Sequence, residues 1–174
     1  VSPPPRAFTQ ATSAGERALQ AAVACALAGA DRVVDLFSGA GTLGLPLADR
    51  ATLHCFENDA GLLEALAHGV RHTQGIKSVT TSTRDLFRNP VDHTDLKPFN
   101  AAIIDPPRAG AEQQVGQLAQ SDLRDIAMVS CNPVSFARDA ALLSNGGYLL
   151  KWIEVVDQFR WSPHIEIVAH FSKV

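Results

Sequence analysis

A cysteine stands where an apolar run gives way to a helical pattern, within Val129-Ser130-Cys131-Asn132-Pro133. The apolar run predicts a buried strand, and Pro133 suits the first turn of a helix. The Cys131 thiol would then lie at the carboxyl end of a strand and beside a helix N-terminus, whose partial positive charge favours thiolate. Cys131 is therefore a candidate nucleophile, against the common alternative of an inert buried cysteine.

A glycine-rich loop follows an earlier apolar run and reads Asp35-Leu36-Phe37-Ser38-Gly39-Ala40-Gly41-Thr42-Leu43-Gly44. Its GxGxxG spacing, between a predicted strand and helix, is typical of a dinucleotide site, so NAD is one candidate ligand. Asp35 favours S-adenosylmethionine instead, because a carboxylate there would attract an ammonium group and repel a pyrophosphate. Glu57 and Asp85 end the next two predicted strands, where they could contact ribose hydroxyls and an adenine amino group.

Two further carboxylates stand at predicted strand ends. Asp105 is followed by Pro106-Pro107-Arg108 with no aromatic residue beside it, which disfavours methylation of an amino group. Asp105 could instead bind the polar edge of a pyrimidine, or it could simply form a turn. Glu166 begins the last apolar run, where desolvation would raise its pKa toward that of a working base; an exposed glutamate at a strand edge is the alternative.

The composition is that of an ordinary globular protein. With 174 residues, 46% of them hydrophobic and 19% charged, the chain is predicted to form one domain over residues 1–174. No window approaches the ~18 apolar residues of a membrane span. The proline-rich start, which lacks a methionine and the features of a signal peptide, suggests a fragment of a longer chain.

Charge and cysteine content limit the expected partners and the expected cellular location. A net charge of −3 argues mildly against a large phosphate-binding surface. A local cluster is still allowed among Arg6, Arg84, Arg88, Arg108, Arg138 and Arg160. Three cysteines without CxxC spacing predict neither a disulfide framework nor a zinc site, and no metal is expected; a reducing, cytoplasmic location follows.

Hydrophobic periodicity predicts alternating strands and helices. Strands are expected at 32–37, 52–57, 79–83, 100–105, 126–131, 148–156 and 165–171, and helices at 13–27, from the glycine loop to 49, 59–72, 112–120 and 133–143. A capping box of Ser13 and Glu16 would begin the first helix. The pattern predicts an α/β, doubly wound, mostly parallel sheet with an antiparallel C-terminal strand, which is the Rossmann-like class I methyltransferase arrangement.

Five motifs in order carry a resemblance to a known family. They are VVDLFSGAGTLGLPLA, FEND, DPPRAG, VSCNP followed by FARD, and DQF…HIE, and Phe8-Thr9-Gln10 resembles the family's F-x-Q entry to the methyltransferase domain. Together they resemble the RNA uracil-5-methyltransferases, which make 5-methyluridine in tRNA and in large-subunit ribosomal RNA. The resemblance covers nearly the whole chain, and SCNP is its most specific motif.

The resemblance implies a covalent mechanism. Cys131 would add to C6 of a flipped uridine, Asp105 would engage the O4/N3 edge, and Glu166 would remove the C5 proton. The resemblance also implies that S-adenosylmethionine is held by Gln10, Asp35, Phe37, Gly39, Gly41, Glu57, Asp85 and Asp105. The substrate would be tRNA or large-subunit rRNA, with neither DNA nor a membrane as partner.

The chain departs from the family pattern at three places, one of which is near Gly69, where an asparagine of the helix after the second strand is replaced. Arg160-Trp161-Ser162 stands where members often have Pro-His-Thr, and Trp161 could stack on a base. Thr12 replaces an asparagine that follows the F-x-Q motif, and the family's N-terminal RNA-binding domain is absent. Three alternatives remain: a methyltransferase acting on another nucleic-acid position, an NAD-binding oxidoreductase domain, and a non-catalytic RNA- or cofactor-binding domain.

Overall fold

In the computed structural model, which describes residues 1, 10–158, 161–162 and 164–173, seven strands form one sheet. They are β1 (Arg32–Leu36), β2 (Thr52–Glu57), β3 (Val79–Thr83), β4 (Ala101–Ile104), β5 (Asp125–Ser130), β6 (Leu149–Val156) and β7 (Glu166–Ser172). The strand order is β3-β2-β1-β4-β5-β7-β6, and β7 runs antiparallel to both β5 and β6. The predicted fold class is confirmed, with the antiparallel strand inserted between β5 and the edge strand β6.

Four α-helices cover the sheet in the described part of the chain: α1 (Ser13–Ala26), α2 (Ala60–Arg71), α3 (Glu112–Gln120) and α4 (Pro133–Asn145). Helices α1 and α2 pack on one face, and α3 and α4 pack on the other, so the core forms two layers. None of these helices has both the length and the apolarity that a bilayer span requires.

The loop after β1 differs from the prediction. The expected α-helix up to residue 49 is wrong, because the chain forms turns and one 3₁₀ segment, Leu45–Leu47. Gly39 and Gly41 have φ angles of +55° and +84°, which interrupt helical backbone, and Pro46 removes a helical donor. The glycine loop is therefore a series of turns between β1 and β2.

The cap of α1 also differs from the prediction. The N-cap residue is Thr12, whose hydroxyl accepts a hydrogen bond of 2.9 Å from the Gly15 backbone N–H, so Ser13 lies inside the helix. The capping-box prediction is wrong by one residue. Thr12 also occupies the position where the family has asparagine, and threonine and asparagine can both cap a helix through a side-chain oxygen. Phe8 and Thr9 lie outside the described residues.

Candidate active site

Strand register brings three predicted site residues to one edge of the sheet. Side chains alternate between the two faces, and Ile103 of β4 and Val129 of β5 both belong to the core layer under α1. Asp105 and Cys131, two positions further along, fall on the same face just beyond the strand ends. Glu166 reaches this edge from the opposite direction because β7 is antiparallel.

A cavity of about 550 Å³ opens at this edge. Its lining includes most of the predicted site residues: Gln10, Asp35, Phe37, Gly39, Glu57, Asp85, Asp105, Cys131 and Glu166. Gly41 is not part of this lining. A Cβ at Gly41 would lie 2.8 Å from Leu45 Cγ and 2.9 Å from Leu66 Cδ1, so this glycine allows close packing behind the loop.

Asp35 lies buried at the floor of the cavity, 1% exposed. Burial, followed by the nearby Asp105 and Glu57, raises its pKa to about 8. Its Oδ2 atom has no hydrogen-bond partner among the described residues, and a Cβ at Gly44 would overlap that oxygen. The Gly44 backbone hydrogen bond lowers the pKa only in part, and a buried carboxylate oxygen without a partner is costly, which makes Asp35 a natural partner for a cationic ligand.

Glu57, at the end of β2, accepts hydrogen bonds both from the glycine loop and from the backbone that follows β2. Its Oε2 accepts a hydrogen bond of 3.0 Å from the Gly39 backbone N–H. Its Oε1 accepts bonds of 2.7 Å and 3.0 Å from the backbone N–H groups of Asn58 and Asp59. Glu57 therefore fixes the glycine loop against β2, while the side chain remains part of the cavity wall.

An aromatic pair forms another wall. The rings of Phe37 and Phe87 lie 5.3 Å apart between centroids, and Phe37 has a φ of 62°, which non-glycine residues rarely adopt. Asp85 Oδ1 accepts a hydrogen bond of 3.0 Å from the Phe87 N–H and so orders this loop. Phe87 was not among the predicted site residues, although it lies two residues after Asp85, the candidate adenine-binding carboxylate.

Gln10 contributes to the cavity from the segment before α1. Its Oε1 accepts a hydrogen bond of 2.7 Å from Gln158 Nε2, which joins this segment to the end of β6. Gln158 is 9% exposed and packs against Gly15, where any added Cβ would overlap its amide. Gln158 belongs to the DQF motif, but the motif alone did not indicate this contact with Gln10.

Cys131 lies half-buried at the end of β5, where the cavity meets α4. Burial raises the pKa of its thiol, and the negative charges of Glu166 and Asp105 raise it further, whereas Arg108 lowers it. The expectation that the helix terminus would favour thiolate is therefore not met, because desolvation and two carboxylates outweigh it. Cys25 and Cys55 are also free thiols, one exposed and one buried.

The two carboxylates beside the thiol are coupled. Burial raises the pKa of Asp105 to about 7, with a further contribution from Glu166. Glu166 is 5% exposed, and burial raises its pKa as well. Near neutral pH this site can therefore accept or hold a proton on a carboxylate close to Cys131.

The arginines that could form a local positive cluster come together only in part. Arg84 and Arg108 line the cavity, but Arg84 donates hydrogen bonds of 2.7 Å to the carbonyl oxygens of Asn89 and Pro90. Arg138 pairs with Asp139 at 2.7 Å. Arg6 and Arg160 lie outside the described residues. Arg108 thus remains the cavity-lining arginine best placed to influence Cys131.

The similarity of this chain to known proteins agrees with the geometry of the site. The model of the tRNA (uracil-5-)-methyltransferase family matches residues 72–174. The chain belongs to this family. The match includes the Asp105, Cys131 and Glu166 motifs, and it does not extend to the glycine loop.

Relatives of this chain are considerably longer than it is. An uncharacterized RNA methyltransferase of Brucella suis is 48% identical over 170 residues, which is 98% of this chain and 41% of that protein. A 23S rRNA (uracil(1939)-C(5))-methyltransferase of Acinetobacter baylyi is 33% identical over 83% of this chain and 32% of that protein. The chain thus spans about two fifths of the length of the first of these relatives.

A solved structure supports the same grouping. The tRNA (uracil-54, C5)-methyltransferase of Pyrococcus abyssi, in complex with S-adenosyl-L-homocysteine, superposes with a TM-score of 0.82 at 30% identity. The superposition covers 96% of this chain and 40% of that one. A magnesium protoporphyrin IX methyltransferase from Synechocystis, at 15% identity and a TM-score of 0.69, shares the fold alone.

Proposed function

We propose that this chain is the catalytic part of an S-adenosylmethionine-dependent methyltransferase that acts on C5 of a uridine in RNA. The observation that carries the proposal is the placement of Cys131 beside Glu166 and Asp105, at the end of a cavity whose far side is the glycine loop. The named relatives act on uracil in ribosomal RNA and in tRNA, so both are candidate substrates.

The cavity suits S-adenosylmethionine. Asp35 offers its Oδ2 atom, which has no partner among the described residues, for an ammonium group, and Glu57 lies at the end of β2 for the ribose hydroxyls. Phe37 and Phe87 provide an apolar wall for a purine ring. When bound, the cofactor supplies an electrophilic methyl group. These contacts favour it over NAD, whose pyrophosphate would meet the Asp35 carboxylate.

In the first step, the Cys131 sulfur bonds to C6 of uracil. The thiol proton passes to the Asp105 carboxylate, which leaves Glu166 ionised, and the electrons of the C5–C6 double bond move toward O4, which makes C5 nucleophilic. Asp105, with a pKa of about 7, can be protonated at neutral pH and donate a hydrogen bond to the O4 edge. The uridine must leave its stack to reach the thiol.

In the second step, C5 takes the methyl group and still carries its own hydrogen. Glu166 accepts that proton, the C5–C6 double bond reforms, and the C6–S bond to Cys131 breaks. Burial raises the pKa of Glu166, which makes its carboxylate a stronger base than an exposed glutamate. The base, Glu166, and the nucleophile, Cys131, thus act on the adjacent ring carbons C5 and C6.

A mechanism-based substrate tests this proposal. RNA that contains 5-fluorouridine carries no removable C5 proton after methyl transfer. When the whole protein that contains this chain is incubated with this RNA and S-adenosylmethionine, a stable covalent RNA adduct should therefore be visible on a denaturing gel. Cys131→Ala should abolish the adduct. Cys25→Ala removes an exposed cysteine away from the cavity and should retain it. An adduct that persists in Cys131→Ala would refute the nucleophile assignment.

A binding measurement separates the proposal from the oxidoreductase alternative. Calorimetric titration should detect S-adenosylhomocysteine binding and no comparable NADH binding. Binding of NADH without S-adenosylhomocysteine would overturn the methyltransferase assignment.

A further inference from the structure

Trp161, in the connection from β6 to β7, exposes its whole indole to solvent, at 102% of the reference accessibility. Its φ is 66°, in the left-handed region that bulky residues rarely adopt. A large aromatic side chain is normally at least partly covered by the fold. Full exposure on strained backbone therefore indicates a side chain that is presented to a partner.

The position of Trp161 relates this side chain to the catalytic residues. The next described residue, Ser162, accepts a hydrogen bond of 3.2 Å from the His164 backbone N–H through its Oγ. His164 Nδ1 lies 3.4 Å from Arg108 Nη1, and Arg108 lines the cavity. Glu166 follows two residues later inside the same cavity. The turn is thus held at the cavity mouth, on the side that carries Cys131.

The surroundings of the cavity mouth include both arginines and exposed apolar side chains. Arg84 is occupied by backbone carbonyl oxygens, and Arg88 lies 3.6 Å from Asp85. Apolar groups are exposed in the same region: Phe87 is 46% exposed, and Val134, three residues after Cys131, is 79% exposed. Within the described residues, exposed apolar side chains therefore accompany Arg108 in this region and could contact the bases of single-stranded RNA.

We propose that Trp161 is a positioning residue that stacks on the nucleobase adjacent to the target uridine. The inference rests on the proposed function. A uridine that flips into the cavity leaves the face of its neighbouring base uncovered, and an exposed indole at the mouth can replace the lost stacking partner. Trp161 would thereby stabilise the flipped RNA without touching the reacting atoms.

Fluorescence gives a readout that is independent of turnover. The chain has two tryptophans, and Trp152 is partly buried against the core, with its ring 5.8 Å from His170. The measurement uses the Trp152→Phe variant of the whole protein that contains this chain. Its Trp161 emission should be quenched on titration with a short uridine-containing RNA in the presence of S-adenosylhomocysteine. Unchanged emission, while anisotropy of a labelled RNA shows binding, would overturn the proposal.

Kinetics with matched variants tests the same contact. Trp161→Ala should raise the KM for RNA by about tenfold with little change in kcat, and Trp161→Phe should restore most of the affinity. Trp152→Phe is the control and should leave both constants unchanged. An abasic nucleotide beside the target uridine should weaken binding to the wild type and have little further effect on Trp161→Ala.

The outcomes distinguish this inference from the proposed function. An equal effect of the abasic nucleotide on wild type and Trp161→Ala would refute the stacking contact, even if the 5-fluorouridine adduct still forms. Absence of the adduct in the wild type would instead refute the proposed function on which the inference rests.

Discussion

Cys131 and Glu166 continue the antiparallel register of β5 and β7, one step beyond the last pair, Ser130 and Ile167. Residues directly opposite in such a register have Cβ atoms about 5 Å apart, on the same face of the sheet. A nucleophile and a base at this separation can reach the two adjacent ring carbons, C6 and C5, of one pyrimidine. The insertion of β7 beside β5 therefore brings the proposed nucleophile and the proposed base together.

Glu166→Gln should separate the two halves of the proposed reaction. Glutamine cannot accept the C5 proton, so turnover should fall by roughly 10²- to 10⁴-fold. The covalent intermediate should then accumulate with ordinary uridine RNA, as measured on denaturing gels. Glu154→Gln, on the exposed edge strand, is the control and should behave as wild type. Loss of both adduct and turnover in Glu166→Gln would place Glu166 before the methyl transfer.

Asp105→Asn should make the Cys131 thiol more acidic. The negative charge of Asp105 contributes to the raised pKa of Cys131, so its removal should shift the pH profile of thiol alkylation by iodoacetamide to lower pH. The measurement belongs in a Cys25→Ala background, because Cys25 is exposed while Cys55 is buried. Asp122→Asn, three residues before the start of β5, serves as the control. If Asp105→Asn did not shift the pH profile of alkylation, the coupling between Asp105 and Cys131 would be contradicted.

Asp35→Asn should remove the loss of folding stability at higher pH and should weaken ligand binding. The carboxyl has a pKa of about 8 in the folded chain and 3.8 as a model group, so the folded state binds the additional proton between these values. The free energy of unfolding therefore falls as pH rises through this window. Asp35→Asn should flatten the decline in Tm between pH 5 and pH 8.5, whereas Asp49→Asn, an exposed control, should not.

The same Asp35→Asn variant should bind S-adenosylhomocysteine about tenfold more weakly, because a charge-assisted hydrogen bond to the ammonium group is lost. Calorimetry at pH 8 measures this. Unaltered affinity would show that the ammonium group is held elsewhere.

Sequence alone was sufficient where the pattern is local and repetitive. The strands and the helices at 112–120 and 133–143 follow from hydrophobic period and from punctuation by glycine and proline, and their bounds agree closely with the structure. The cavity lining was largely predictable because the carboxyl ends of parallel strands meet at one edge. The opposition of Cys131 and Glu166 was not, because it depends on the register of two strands about 40 residues apart.

The errors had local physical causes. Thr12 and Ser13 are both good caps, and only the direction in which the backbone enters the helix decides between them. The pKa of Cys131 depends on burial and on carboxylates from two other strands, which a helix-terminus argument does not include.

Thr12→Ala tests the observed cap. It should lower the free energy of unfolding by about 1 kcal/mol, because the Gly15 N–H loses its side-chain acceptor. Ser13→Ala, one residue inside the helix, should cost much less. Urea denaturation of both variants measures the difference, and a larger loss in Ser13→Ala would favour the capping box predicted from sequence.

The glycines of the loop should respond differently to alanine. Both have positive φ, so each substitution should cost about 1–2 kcal/mol in backbone strain. At Gly39 an added Cβ meets nothing within 4 Å, whereas at Gly41 it would overlap Leu45 and Leu66. Gly41→Ala should therefore be the more destabilising, by a further ~1–3 kcal/mol from overpacking.

Ligand binding should show the opposite order. Gly39 lines the cavity and Gly41 does not, so Gly39→Ala should weaken S-adenosylhomocysteine binding more than Gly41→Ala does, measured below the melting temperature of both. Urea denaturation and calorimetry on the same two preparations give both orders. If Gly41→Ala were worse in both measurements, the backbone at Gly41 would belong to the ligand contact, because the packing strain alone would appear only in the unfolding data.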